Sequence, residues 1–506
     1  MNLLKNVAMA HIAGCMLVIA GVAGCRGWAV GPDYKEPEIA APDVPLPDAG
    51  YPTTNKTETG EFKAATADAD PRREITADSI RGWWCQFNDD ILTNLVETAI
   101  SNNLSFLMAQ QRLIQARWQL VGSAAAFMPK VSFDGSYTRS GAHKFTSSRW
   151  GAGSNSHGDR WHSGFDASWE IDIFGGTRRE FESAEAQMES VNYSLADAWV
   201  TLTSEIGRQY ISLRTMQERM RVARTNLKLQ SETYDILKSR LDSGIGDELA
   251  VNQAKYNVEQ TRATIPGLLV QEESLMNGLA ILVGTMPGNL RSLLDGLPDR
   301  DWLVAPQKIS AIPLDAMRMR PDVRAAERSL AAQVAAVGVA TSQLFPKFYI
   351  NGSFGLDSVK ANKFFRRDAF MASIGPSFSW PIFQGGNLVA NMKAEEAKMA
   401  EAALKYELSV QKAFEETRNA YSSYTQEYHR YQSLQGAVRA ARAAVDISND
   451  LYKNGLADFN NVLDAQRSLL TLEESLTISR GNITLDLISL YKALGGGICY
   501  DESPAH

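Results

Sequence analysis

The sequence predicts a mainly α-helical protein carrying part of a membrane β-barrel, built from a helix–strand–strand–long helical hairpin unit that is written twice. Three observations predict it. Phe165, Ala167, Trp169, Ile171 and Ile173 alternate with Asp166, Ser168, Glu170 and Asp172, so one strand has an apolar face and an acidic face. Trp199, Ile206, Leu213, Met220, Leu227, Tyr234 and Leu241 recur at every seventh position in a stretch without proline, which calls for coiled-coil-like packing. The third is recurrence. FMPKVSFDGSY (127–137) matches LFPKFYINGSF (344–354), and LDSGIGDELAVNQA (241–254) matches LYKNGLADFNNVLDA (451–465), in the same order.

The N-terminus, MNLLKNVAMAHIAGCMLVIAGVAGC, has Lys5, a short apolar run and small residues before Cys25, the pattern of a secretory signal over 1–24. Val22-Ala23-Gly24-Cys25 resembles the bacterial lipoprotein box, so Cys25 is the expected lipid-bearing residue. Cys15 follows similar letters but has too little apolar sequence before it. Arg26 stands where inner-membrane retention would require aspartate, which favours outer-membrane sorting. Cys85 and Cys499 then remain in an oxidising compartment, free to pair or to stay as thiols; their spacing decides neither.

Residues 25–81, rich in Pro, Ala, Thr and Asp, cannot build a core; they form an extended, lipid-anchored N-terminal segment lying along the rest, or are partly disordered. The first repeat spans 82–292, with strands at about 130–139 and 161–174 and a long helix over 177–243. A proline-punctuated linker, 293–313, leads to the second repeat, 314–495, with strands at about 347–357 and 370–383, and to a tail at 496–506. Arg320-Pro321-Asp322 opens its first helix, with proline in the first turn. The second long helix repeats the stripe at Val410, Thr417, Tyr424, Tyr431, Val438, Val445 and Tyr452. Gly244 and Gly455 end the long helices as C-cap glycines, and Asp247 and Asp458 suit the start of the returning helices. Each repeat therefore ends in an antiparallel hairpin with a glycine-containing tip.

In the second copy Phe348, Ile350, Phe354 and Leu356 oppose Tyr349, Asn351, Ser353 and Asp357, while Ile374, Pro376, Phe378, Trp380 and Ile382 oppose a serine-rich face. A soluble sandwich would pack these apolar faces on each other, but four strands make a thin sandwich. In a membrane barrel they face lipid. Closed membrane barrels need about eight strands or more, so the barrel reading requires an oligomer. The connections at 138–160 and 358–368 are basic, with Arg139, Lys144, Arg149 and Arg160 in one and Lys360, Lys363, Arg366 and Arg367 in the other. They suit a phosphate-bearing lipid surface, or are ordinary solvated loops. A net charge of −7 argues against nucleic acid as a partner. The histidines His143, His157 and His162 share one polar loop without metal-ligand spacing, and no phosphate loop or nucleophile elbow is present, so no enzyme and no cofactor beyond a covalent lipid on Cys25 is expected.

VAGC, GWWCQFNDDILTNLV (82–96), the paired strand starts, WEIDIFGG, RPDVRAAE (320–327) and NVLDAQRSL (461–469) together resemble the TolC-like outer-membrane efflux factors, in their NodT-type lipoprotein branch. The resemblance implies a homotrimer whose twelve strands close one barrel, continued by an α-helical tunnel. It also implies an outer-membrane location, lipid-anchored and extending into the periplasm, with a periplasmic adaptor and an inner-membrane transporter as partners. It further implies a passive export duct with a pore constriction at Asp464, accompanied by Asn461 and Asn460, and adaptor contacts at the tips, Gly244, Ile245, Gly455 and Leu456. A ring of one carboxylate per chain would favour cations. The alternative for Asp464 is a surface acid in a helix's first turns, and Tyr452 reads as a tip latch or as the last stripe residue. The competing function is a non-conducting coiled-coil lipoprotein or adaptor, for which one hairpin with soluble β modules would be expected.

Overall fold

The computed structural model describes residues 29–37, 82–141, 157–296, 319–454 and 456–496. The expectations on 1–24, Cys25, Lys144, Arg149, Gly455 and Cys499, and most of those on 25–81, 293–313 and 496–506, fall outside the described residues. Within them the chain forms α1 (Asp90–Asn102), α2 (Leu104–Ala124), β1 (Lys130–Gly141), β2 (His157–Ile171), α3 (Gly176–Asp242), α4 (Glu248–Val283), α5 (Pro321–Ser342), β3 (Lys347–Ser358), β4 (Phe370–Ser379), α6 (Asn387–Lys453) and α7 (Phe459–Ala493). The duplication is visible in the lengths: α3 and α6 are each 67 residues, and α4 and α7 are 36 and 35. At 1.5 Å per residue each long helix measures about 100 Å. The first copy's opening helix is broken at Asn103, whose side chain accepts from Phe106 N (2.9 Å) to cap α2 and donates to Leu282 O (2.8 Å).

Two compact units are present. The first gathers 113–191 and 325–406 with the N-terminal stretch to Pro37. It holds one antiparallel sheet in the order β1-β2-β3-β4, with Phe133 opposite Phe165, Phe165 opposite Phe354, and Phe354 opposite Ala372. β1 and β4 are its edges, and Pro376, which lacks a donor, lies on an edge strand, where proline is tolerated. Several strand boundaries differ from expectation. β1 and β2 pair farther toward their connection than the expected 139 and 161, as far as Gly141 opposite His157. β2 ends at Ile171 rather than at 174, because Asp172 turns out of the sheet to start α3. β4 stops at Ser379 rather than at 383, Pro381 having no amide to extend the ladder. The N-terminal stretch runs extended along this unit: Val30 N donates to Phe174 O (3.1 Å) and the Tyr34 hydroxyl to Glu327 (3.0 Å).

The second unit comprises 38–112, 192–324 and 407–506. Its main core centres on Trp83, which is fully buried, stacks on Tyr491 at 6.2 Å and meets Trp84 and Phe87 edge-on at 5.8 Å. Gly207 makes room for that indole. Both heptad stripes are buried or half-buried along their whole length. Arg320, itself buried, donates to Ala493 O (2.8 Å) and pairs with Asp322 (2.8 Å) and Glu416 (2.6 Å), fixing the start of α5 to the end of α7. Cys85 is exposed and has no disulfide partner among the described residues, which do not include Cys499.

Candidate functional sites on the sheet and at the helix tips

The sheet presents two chemically different faces. Val131, Phe133, Phe165, Phe354, Ile374 and Phe378 lie exposed on one of them, Ile374 at 83%. Leaving these side chains in water forfeits roughly 1.5–3 kcal/mol each, so this face requires an apolar medium. Aromatic pairs cross the strands on it: Phe133–Phe165 and Phe354–Phe370 at 5.0 Å, Tyr137–Trp161 at 4.4 Å and Phe348–Phe378 at 6.1 Å. From Trp161 to Ile171 is ten residues, about 33 Å along the strand, or about 25 Å after the usual barrel tilt. That is the height of a membrane barrel's apolar band.

A pair of indoles closes the band at the helix end. Trp169 Nε1 donates to Phe127 O (2.9 Å), and Trp380 Nε1 donates to Leu344 O (3.0 Å). Donors and acceptors hold equivalent positions in the two copies, so the same bond is made twice. The alternation puts Trp169 on the strand's apolar face but says nothing of its partner. Side by side, the repeats supply the signal, since both indoles and both acceptors recur.

The other face is polar. Ser168 bonds Asn351 (2.9 Å), Asn351 bonds Ser377 (2.7 Å), and Ser353 bonds Ser373 (2.7 Å) across neighbouring strands. Toward the hairpin connections Arg160 clasps Asp357 in two-pronged fashion (2.9 and 2.7 Å), with His162 at 3.5 Å. The three acids expected on this face differ in availability. Asp172 is spent on the start of α3, accepting from Arg178 N (3.0 Å) and pairing with its guanidinium (3.4 Å). Glu170 pairs with Lys347 (3.2 Å), whereas Asp166 has no ion-pair partner among the described residues.

At the tips, α3 ends with Gly244 at φ +75°, Gly244 N donating to Leu241 O (2.9 Å) and Ile245 N to Arg240 O (3.1 Å). Asp247 accepts from Leu249 N (3.0 Å) and caps α4. The second tip departs from this pattern. Asp458 makes no side-chain cap, and Ala457 stands in the place of Gly246. Both hairpins share one core of Leu237, Ala250, Val251, Ala254, Phe459, Val462 and Leu463. Tyr452 packs on it, 5.3 Å from the Phe459 ring and beneath Arg240 at 5.7 Å. Asn460, Asn461 and Asp464 are exposed together on the opposite face of α7, and Asp464 forms no ion pair among the described residues. Ile245 (73%) and Leu456 (75%) project into solvent.

A further titratable group lies away from both places, where sequence reading found none. A cavity of about 470 Å³ is lined by Arg208, Glu427, Arg430, Asn482 and Asp486. Burial first, then the Glu427 charge, pushes the Asp486 carboxyl up to about 6, with Arg208 opposing. One Glu427 oxygen is buried without a hydrogen-bond partner among the described residues, the other lying 3.4 Å from Arg430.

A family model described as outer membrane efflux protein matches residues 95–285 and 313–496. The chain is 30% identical over 426 residues to Nodulation protein T of Rhizobium leguminosarum bv. viciae, covering 83% of this chain and 85% of that one. It is 27% identical over 423 residues to the pyoverdine export outer membrane protein OpmQ of Pseudomonas aeruginosa, covering 83% and 88%. Among solved structures, the outer-membrane channel OprN superposes with a TM-score of 0.79 at 31% identity, over 92% of this chain and 99% of that chain. The open-state MtrE outer membrane channel of Neisseria gonorrhoeae superposes with a TM-score of 0.74 at 25% identity, over 93% and 98%.

Proposed function

The chain belongs to the outer membrane efflux protein family, and from that premise we propose how its parts assemble into a working duct. Its function is that of the outer-membrane channel of a tripartite efflux system. Three copies each contribute β1–β4, β1 of one subunit pairing with β4 of the next, to close one twelve-stranded barrel. The observation that carries this reading is the sheet itself: an apolar band on one face, a polar face on the other, and two edges without a strand partner among the described residues. Lipid on Cys25 anchors each subunit in the outer membrane. The duct itself is passive; an inner-membrane transporter supplies the energy.

The tips, with Gly244, Ile245, Gly455 and Leu456, receive the periplasmic adaptor, and the exposed Ile245 and Leu456 supply apolar anchors for it. Asp464, flanked by Asn460 and Asn461, lines the constriction once per subunit. Fixed negative charge there favours cations and binds multivalent ones. Planar-bilayer recording tests both parts. The purified protein should give steady conductance, and a water-soluble monomer without conductance would remove the duct reading. Asp464→Ala should weaken cation preference or multivalent block, and unchanged selectivity would remove Asp464 from the constriction. Cys25→Ser should abolish palmitate labelling if Cys25 is the lipid site.

A further inference from the structure

We propose that the β3–β4 connection, residues 358–370, is a binding surface for the phosphate groups of the phosphorylated glycolipid that forms the outer leaflet. The strand register places it. Trp161 lies opposite Ser358, Leu356 opposite Phe370, and Gly141 opposite His157, so both hairpin connections sit at the same end of the sheet. α3 follows β2 and α6 follows β4 at the other end, which also receives α2 and α5. With the helices in the periplasm, this end faces outward. The inference therefore rests on the sheet being membrane-inserted.

The connection carries Lys360, Lys363, Arg366 and Arg367 against a single acid, Asp368, on a chain whose net charge is −7. All four cations are exposed, and none forms an ion pair among the described residues. Elsewhere in the same unit arginines are committed to carboxylates, as Arg160 is to Asp357 and Arg178 to Asp172. Four like charges held in eight residues repel one another, and a solvated loop gains nothing from that arrangement. Nor is the loop loosely built. Lys363 N donates to Lys360 O, Arg366 N to Lys363 O and Ala369 N to Arg366 O, each at 3.0 Å, and Ser358 Oγ bonds Lys360 O at 3.0 Å.

Apolar side chains are interleaved with the charges. Phe365 is 88% exposed, with Phe364 edge-on behind it at 5.1 Å, and Val359 and Phe370 are exposed beside them. An aromatic ring largely in water next to cations without an ion pair among the described residues matches the chemistry of a membrane interface, where phosphates meet the cations and acyl chains meet the ring. Inorganic phosphate would satisfy the cations alone and leave Phe365 unexplained.

The test adds lipid to the detergent-solubilised full-length protein and counts bound molecules by native mass spectrometry. Bisphosphorylated lipid A should bind about tenfold or more tightly than dephosphorylated lipid A, and added salt should erode the difference. The variant K360Q/K363Q/R366Q/R367Q should lose the discrimination, while the charge-keeping K360R/K363R/R366K/R367K should retain it. Equal affinity for the two lipids overturns the proposal, as does wild-type discrimination in the glutamine variant or full displacement by millimolar inorganic phosphate. Should the glutamine variant fail to assemble, the two-lipid comparison on the wild type still decides. Bilayer conductance of the wild type tests membrane insertion separately.

Discussion

A Cβ added to Gly246 would lie 2.4 Å from Leu241 N and 2.6 Å from its Cα, distances no side-chain atom occupies. The first tip therefore depends on that glycine for close approach, while its counterpart, Ala457, shows that the second turn is built differently. Gly246→Ala should strain the tip by about 1–3 kcal/mol and raise amide exchange over residues 240–250, leaving the rest of α3 unaffected. Unaltered exchange there would mean that the turn relaxes without cost. Gly207 poses a similar constraint deeper in the fold, since its Cβ would meet Trp83 at 2.4 Å. Because Trp83 is fully buried, Gly207→Ala should cost about 1–3 kcal/mol through overpacking and lower the apparent Tm. An unchanged Tm would show that Trp83 can move aside. Neither requirement is written in a local pattern: GIGDE reads as a turn with two glycines, and only the folded backbone separates the C-cap role of Gly244 from the crowding at Gly246.

At the scale of elements, α3, α6 and α7 meet around the cavity that holds Asp486, Glu427, Arg208 and Arg430. Asp486 titrates higher folded than unfolded, so the folded state holds its proton more tightly. The stability this contributes is fully present below the ordinary carboxylate range and is lost as pH rises through about 6. Asp486 should therefore contribute a loss of apparent Tm between pH 4 and pH 7, seen as the difference between the wild type and a variant that lacks this carboxyl. Asp486→Asn, neutral at every pH, should flatten that slope and exceed the wild type at pH 7.5, whereas an unchanged slope would show that the pair is solvated. Period-2 and period-7 patterning made the strands and long helices legible, because both faces repeat along one element. The Asp486 cavity was not legible, since it joins residues from positions 208, 427 and 486 that no period connects. The same holds for Asp172, which the alternation assigned to the sheet's polar face. A side chain that leaves the strand to start a helix keeps its place in the pattern while changing its role.

At the scale of the whole molecule, the duct reading depends on which medium each sheet face meets, and Phe165 and Asp166 put that to a test. They are neighbours in β2, midway between Trp161 and Trp169, on opposite faces. Phe165 lies exposed in the centre of the apolar band, paired with Phe133 at 5.0 Å. Asp166 faces the serine rows of β1 and β3, opposite Ser132 and Ser353. A lysine at mid-height on a lipid-facing surface costs roughly 2–4 kcal/mol in every subunit, while one on a water-filled lumen costs little and changes the field there. Phe165→Lys should therefore abolish membrane insertion and conductance, with helix content by circular dichroism near the wild-type value, because α3, α4, α6 and α7 have their own core. Asp166→Lys should insert and conduct, with reduced cation preference. The reverse pattern would turn the sheet inside out. Insertion of both variants would mean that neither face of β2 meets lipid, and the assignment of the Phe165 face to the outside of the barrel would have to be abandoned.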